Sequence, residues 1–228
     1  MFSRSARGRL TDKDLGRFPD DTLFHGVARA VCHAGCLPRK ELYETWEMAR
    51  RVRRRFRGGR VVDLGAGHGL LAQLMLLLDN SSPDAVVVDT ALPASQAKVH
   101  DALVSAWPRL AGRVDFVAGA LEETELRDTD VVVSCHACGA LTDVVLHRAV
   151  AARARVAVLP CCHDLDRGDT GRLSGWVNGP LAIDIQRATR LTQEGYRIWT
   201  QALPPEITAK NRLLLGAPPP QIAPVDAP

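Results

Sequence analysis

The sequence predicts an α/β chain, a single doubly wound seven-stranded sheet whose last strand runs antiparallel, behind an N-terminal helical extension. Three observations predict it. Short, continuously apolar runs alternate with helical ones between Val61 and Val158, and runs apolar on both faces belong to strands that helices cover on both sides. The first of these runs breaks into glycines at alternate positions, Gly65, Gly67 and Gly69, before a helical run opens at Leu70. Glycine there lets the chain turn tightly and lets a ligand lie on bare backbone. Two late apolar runs, 196–203 and 212–215, are joined too closely for a right-handed parallel crossover, so they should pair antiparallel.

The elements follow in order. Residues 1 to about 20 read as loosely ordered. From Leu23 to Phe56 the pattern is helical: Pro38 suits a first turn, and Leu42, Trp46, Ala49, Val52 and Phe56 make one apolar stripe. Gly58 and Gly59 end this extension, residues 1–58, and lead into a domain spanning 59–216. Strands are predicted at 60–63, 85–89, 113–117, 131–135 and 155–159, with helices at about 70–78, 94–107 and 142–152. A helix at about 183–194 precedes the two late strands, which the pair Pro204-Pro205 helps to separate. The proline-rich residues after Gly216, 217–228, read as a disordered tail.

Composition narrows the class. At 228 residues, 46% apolar and 24% charged, the chain has enough material for one full core and too much for wholesale disorder. The N-terminus carries no apolar core of signal-peptide length, and the longest apolar run, Leu70 to Leu78, is too short to span a bilayer. The expectation is a soluble, cytoplasmic protein without a membrane partner, whose six cysteines are thiols or ligands. The net charge of +3 conceals a block: Arg50, Arg51, Arg53, Arg54, Arg55, Arg57 and Arg60 put seven positive charges into eleven residues. One reading is a phosphate track for RNA. The other is a solvated face in a chain with 25 arginines and 4 lysines, and five Phe with two Tyr make a poor platform for single strands.

The glycine segment reads Val61-Val-Asp-Leu-Gly-Ala-Gly-His-Gly69, a G-x-G-x-G spacing with Asp63 two residues ahead. A dinucleotide fingerprint would be G-x-G-x-x-G. The observed spacing resembles motif I of class I S-adenosylmethionine (SAM) methyltransferases, which implies a Rossmann-like fold and SAM as cofactor. Val86-Val-Val-Asp89 places a second carboxylate at the neighbouring strand tip, where a ribose would be met. Charge-assisted bonds from ribose hydroxyls to it are worth about 1.5–3 kcal/mol each. The cofactor residues are therefore expected to be Asp63, Gly65, Ala66, Gly67, Gly69 and Asp89, with Gly119 and Ser134 at the next strand tips and Glu122 near the adenine. His68 reads as a loop-packing residue. NAD is disfavoured by the glycine spacing and by the antiparallel last strand.

The fourth strand ends Ser134-Cys-His-Ala-Cys-Gly139 and the fifth ends Pro160-Cys-Cys-His163. In a doubly wound sheet the chain crosses to the opposite half after the third strand, and ligands bind at the carboxyl ends near that switch. The two clusters are expected to face each other there, with Thr142 capping the helix that leaves the first. His136-Ala-Cys-Gly-Ala-Leu-Thr-Asp143 followed by Cys161-Cys-His163 resembles the paired motifs of the methyltransferase branch that includes the tRNA 2′-O-methyltransferase Trm13 and METTL25-type proteins. The resemblance covers about 60–163, and Thr208-Ala-Lys-Asn-Arg212 is similar to a short motif of bacterial members. It implies methyl transfer from SAM to a tRNA-like acceptor. That branch's N-terminal zinc-binding modules have no counterpart here beyond Cys32-His-Ala-Gly-Cys36.

Several chemistries fit the clusters. His136 or His163 is the natural base for a hydroxyl or amine acceptor. Cys138 and Cys161 occupy places comparable to the two thiols of RNA cytosine-C5 methyltransferases, one attacking C6 and the other assisting release. Zinc held by Cys135, Cys138, Cys161, Cys162 or a histidine is a further reading, and thiols that merely fill strand ends are another. Lys210 and Arg212 have the charge to grip a phosphate or carboxylate. The functional classes are accordingly a methyltransferase acting on RNA, one acting on a small molecule or protein, and a non-catalytic SAM- or zinc-binding module.

Overall fold

The computed structural model describes residues 3–135 and 137–220. Its seven strands are β1 (Val61–Leu64), β2 (Ala85–Asp89), β3 (Val114–Ala118), β4 (Val131–Ser134), β5 (Arg155–Val158), β6 (Arg197–Ala202) and β7 (Arg212–Ala217), in the spatial order β3-β2-β1-β4-β5-β7-β6. The first five are parallel. β7 inserts antiparallel between β5 and β6, with Ala157 opposite Leu215 and Trp199 also opposite Leu215. The order reverses between β1 and β4, and in open sheets of this kind ligands bind outside the carboxyl ends at such a reversal.

Pleating divides the core into two layers. Val61, Val131, Val133 and Ala157 face the layer holding α1 (Leu23–Ala34), α2 (Arg39–Arg55), α3 (Leu70–Leu78) and α4 (Gln96–Ala106). Val62, Val132, Val156 and Val158 face the layer of α5 (Ala140–Ala151) and α6 (Gly179–Gln193). The sequence legislates this directly, since valine runs without polar alternation have two dry faces. Between β3 and β4 there is only a short 3-10 turn, Leu121–Glu123, and Val117 on that side of the sheet is 44% exposed.

The N-terminal segment departs from expectation. Residues 10–18 are anchored to the fold: Leu10 and Phe18 are buried in the first layer, and a 3-10 turn spans Asp12–Arg17, while most of the flanking residues are exposed. Two large apolar side chains outweigh the polar composition around them, because each contributes about 1.5–3 kcal/mol when buried. The extension is thus continuous with the core of the sheet domain, and Gly35, at φ +64, separates α1 from α2 within it. At the other end β7 runs through Gly216 and Ala217, where the tail was expected to begin. Gly216 pairs with both Val156 and Ile198, so sheet hydrogen bonds order it. The remaining tail residues 221–228 lie outside the described residues.

One arginine of the block is buried in the fold, and most of the others make contacts within the chain while Arg54, Arg55 and Arg57 stay exposed. Arg53, 2% exposed, donates to the Met75 and Phe56 carbonyls and to Ser82, and pairs with Asp79 at 3.2 Å. Burial lowers its pKa to about 10. Arg50 and Arg51 pair with Glu47, Arg60 with Asp130, and Arg57 donates to the Leu78 carbonyl. Arg55 lies over the Trp199 ring at 5.0 Å.

Candidate active site at the strand tips

The glycine loop is bent back over the end of β2: the amides of Gly65 and Ala66 donate to the Val88 carbonyl at 2.9 and 3.3 Å. All three glycines have positive φ, yet they serve different ends. A Cβ on Gly67 would meet nothing within 4 Å, whereas one on Gly69 would stand 2.9 Å from Val87 and Phe116 side-chain atoms. Gly67 therefore keeps a surface open to a ligand. Gly69 lets the start of α3 sit against β2 and β3.

Asp63 lies under this loop, 1% exposed. One carboxylate oxygen accepts from the Ala72 amide at 3.2 Å, while Oδ1 is buried without a partner. Burial pushes this carboxyl up to about 7; the Ala72 amide opposes that and the Asp89 charge adds to it. An unpaired buried acceptor costs about 1–3 kcal/mol, a cost that a donor reaching Oδ1 would relieve. Asp63, Gly65, Ala66, Cys135, Glu41 and Thr45 all line a small cavity here, about 10 Å³. Asp89, at the tip of β2, accepts from the Gly67 amide at 2.8 Å and from the Ala91 amide at 3.2 Å. The Gly119 amide, one strand further on, donates to the Asp89 carbonyl at 3.0 Å. Ser134 is buried and its hydroxyl accepts from the Ala137 amide at 3.3 Å. Asp63, the glycine loop, Asp89, Gly119 and Ser134 thus lie at the carboxyl ends of β1 to β4.

Glu41 and Thr45 were not anticipated. They come from α2, which lies over the glycine loop, and His68 approaches Glu41 at 3.8 Å while its Nε2 meets the Ser95 hydroxyl at 2.9 Å. Only Thr45 carried a signal in the sequence, since it falls at helical spacing within the stripe of Leu42, Trp46 and Ala49, and it is buried there; Glu41 carried none. Polar residues within a buried stripe mark a site or a network.

Cys138 and the Cys161-Cys162 pair come together at the ends of β4 and β5. The Cys138 and Cys161 sulfurs are 2.7 Å apart, Cys161 and Cys162 are 3.9 Å apart, and the Lys210 ammonium is 3.4 Å from the Cys162 sulfur. Backbone ties the two loops, with the Gly139 amide donating to the Cys162 carbonyl at 3.1 Å. Burial raises the Cys138 and Cys161 thiols. Cys162 is lowered, chiefly by a hydrogen bond from Cys138 and then by Lys210, against some burial. Cys135 is buried beside Asp63 and away from this cluster, its thiol held well above the ordinary range by burial. His136 lies outside the described residues.

His163 turns inward. Its Nε2 is 2.8 Å from Asp184 and its side chain is 5% exposed. Asp184 also accepts from Arg212 at 2.6 Å and from Arg187 at 3.2 Å, and Arg187 holds Asp143 and the Gly139 carbonyl. The network fastens the two cysteine loops to α5 and α6. Arg212 is thereby engaged within the fold, and Lys210 is the cation at the thiols. Thr142 is not the helix cap: Gly139 holds that place at φ 59 and ψ −126, a conformation open to glycine, and the buried Thr142 hydroxyl donates to the Ala137 carbonyl at 2.6 Å. Because the chain begins its helix at Ala140, Thr142 falls in the first turn with its side chain against the preceding loop.

A roomier cavity, about 450 Å³, lies between α6 and β6–β7, lined by Leu181, Ile185, Thr200 and Leu214. It reaches the strand-tip edge through Pro160, Ala202 and Arg212, and α6 contributes Asp184.

A profile of a methyltransferase domain matches residues 39–167, from the first turn of α2 to beyond β5. Among solved structures the chain is similar to an O-methyltransferase family protein from Burkholderia thailandensis, with 19% identity, a TM-score of 0.52, and 90% of this chain and 62% of that one covered. It is similar also to the S-adenosylmethionine-dependent methyltransferase SibL (18% identity, TM-score 0.52, 90% and 65% covered) and to the pyocyanin biosynthetic protein PhzM (19%, 0.51, 93% and 62%). The chain spans less than two thirds of each of these proteins, and the likeness is one of fold. No curated protein sequence matches it.

Proposed function

The chain belongs to the methyltransferase-domain family, and on that premise we propose that it is a SAM-dependent methyltransferase whose cofactor lies across the tips of β1, β2 and β4. The observation that carries this reading is the buried, unpartnered Oδ1 of Asp63 beneath a glycine loop whose Gly67 faces open space. Asp63 would answer a cationic or hydrogen-bonding group of the cofactor, Asp89 the ribose hydroxyls, and the loop its close approach. SAM when bound supplies an electrophilic methyl group on a sulfonium. The protein's own task is then to orient the acceptor in line and, where needed, to take its proton.

Two features bear on that task. The exposed thiols at 138 and 162 with Lys210 border the side of the site where an acceptor would enter. His163 is fastened to Asp184, which supports a role in positioning the cysteine loop more than one as a free base. An RNA acceptor of tRNA type rests on the resemblance of the paired Cys/His motifs. A small-molecule acceptor is the second reading, supported by the burial of Arg53 and the ion pairs of Arg51 and Arg60, which narrow a phosphate track to the exposed Arg54, Arg55 and Arg57.

The test is incubation of the purified protein with methyl-labelled SAM and, separately, with total cellular RNA, a protein extract and a small-molecule extract. Label in one fraction, lost on Asp89→Ala, is expected. Calorimetry that finds no SAM binding to the folded chain would refute the reading.

A further inference from the structure

We propose that Cys138, Cys161 and Cys162 form a three-thiolate binding site for a thiophilic divalent cation of the zinc type. The three sulfurs, from two loops 23 residues apart in sequence, lie within 4.8 Å of one another. Thiolate is the donor that selects such cations over magnesium or calcium. A tetrahedral zinc with bonds near 2.3 Å sets its sulfurs about 3.8 Å apart. The pair Cys161–Cys162 already spans 3.9 Å, while Cys138 and Cys161, at 2.7 Å, would open by about 1 Å.

The surroundings supply what such a site needs. The Gly139 amide bonds the Cys162 carbonyl, and Arg187 bonds the Gly139 carbonyl while holding Asp143 and Asp184, so the ligand loops are braced from behind. Three thiolates around a divalent cation carry a net charge of minus one, and the Lys210 ammonium stands 3.4 Å from Cys162 to balance it. Binding forms three sulfur–metal bonds and releases one proton from each thiol still protonated. Cys138 and Cys162 are exposed, so a fourth position would open to solvent, as it does where the cation does chemistry. In the methyltransferase reading above, that position would hold an acceptor atom beside the cofactor edge. The site itself does not depend on that reading.

The experiment is elemental analysis of the protein purified in reducing buffer, followed by zinc titration of chelator-treated protein and cobalt(II) substitution. Expected are one equivalent per chain, thiolate-to-cobalt charge-transfer bands, and at least a tenfold fall in occupancy for Cys138→Ser, Cys161→Ser and Cys162→Ser. Cys36→Ser, away from the cluster, is expected to keep full occupancy. Circular dichroism and SAM calorimetry on each variant separate a lost ligand from a lost fold, and report on the cofactor site independently of the metal. No zinc uptake by the reduced, folded chain would overturn the proposal. So would equal metal content in the folded serine variants and wild type.

Discussion

The substitution Asp63→Asn tests the cofactor edge and the stability of the fold together. The Asp63 carboxyl is raised from 3.8 to about 7, first by burial. An acid with a raised folded-state pKa binds its proton more tightly folded than unfolded, so stability falls as pH climbs from the unfolded value to the folded one. Below about pH 4 both states are protonated and nothing is lost. Above about pH 7 the whole cost is present. A shift of about three units, at about 1.4 kcal/mol each, amounts to roughly 4 kcal/mol. At about pH 5 little more than a third of that has accrued. The amide introduced by Asp63→Asn would be neutral throughout and would keep the acceptor for the Ala72 amide. Urea unfolding at pH 5 and pH 8 should therefore show the variant gaining on wild type by about 2–3 kcal/mol more at the higher pH. SAM calorimetry should show the opposite sense. Wild-type affinity should fall as pH drops below about 7, with proton release on binding, and the variant should bind weakly with that pH dependence gone. A stability difference that stays constant between pH 5 and pH 8 would refute the account of Asp63.

Three further outcomes are expected. Asp89→Ala should weaken SAM binding by roughly 10–100-fold, since a charge-assisted contact worth about 1.5–3 kcal/mol goes along with the acceptor that holds the Gly67 amide; unchanged calorimetric affinity would exclude this strand tip. Gly69→Ala should lower unfolding stability by about 2–4 kcal/mol, through a left-handed φ of 68 and a Cβ pressed on Val87 and Phe116; a change under about 0.5 kcal/mol in urea would show the packing to be slack. On the RNA reading, replacing Arg50, Arg54 and Arg57 with Gln should flatten the salt dependence of RNA binding while SAM affinity holds; identical salt slopes would return α2 to a structural role.

The sequence by itself determined the sheet. Five parallel strands fell within a residue or two of their places, and the helix after the glycine loop was bounded at Leu70 and Leu78 in both readings, because valine runs, alternate glycines and flanking prolines are local chemistry. The antiparallel ending followed from connection length alone. Local pattern could not reveal what lies across a contact. That α2 brings Glu41 and Thr45 over the glycine loop, that Asp184 takes His163 and Arg212, and that Arg51, Arg53 and Arg60 pair with Glu47, Asp79 and Asp130 are facts of tertiary packing. Leu10 and Phe18 likewise read as members of a loose arm until the core that receives them is in place. A charged or apolar side chain carries its demand for a partner in the sequence. Which group answers that demand depends on residues tens of positions away, and only the packed chain selects it.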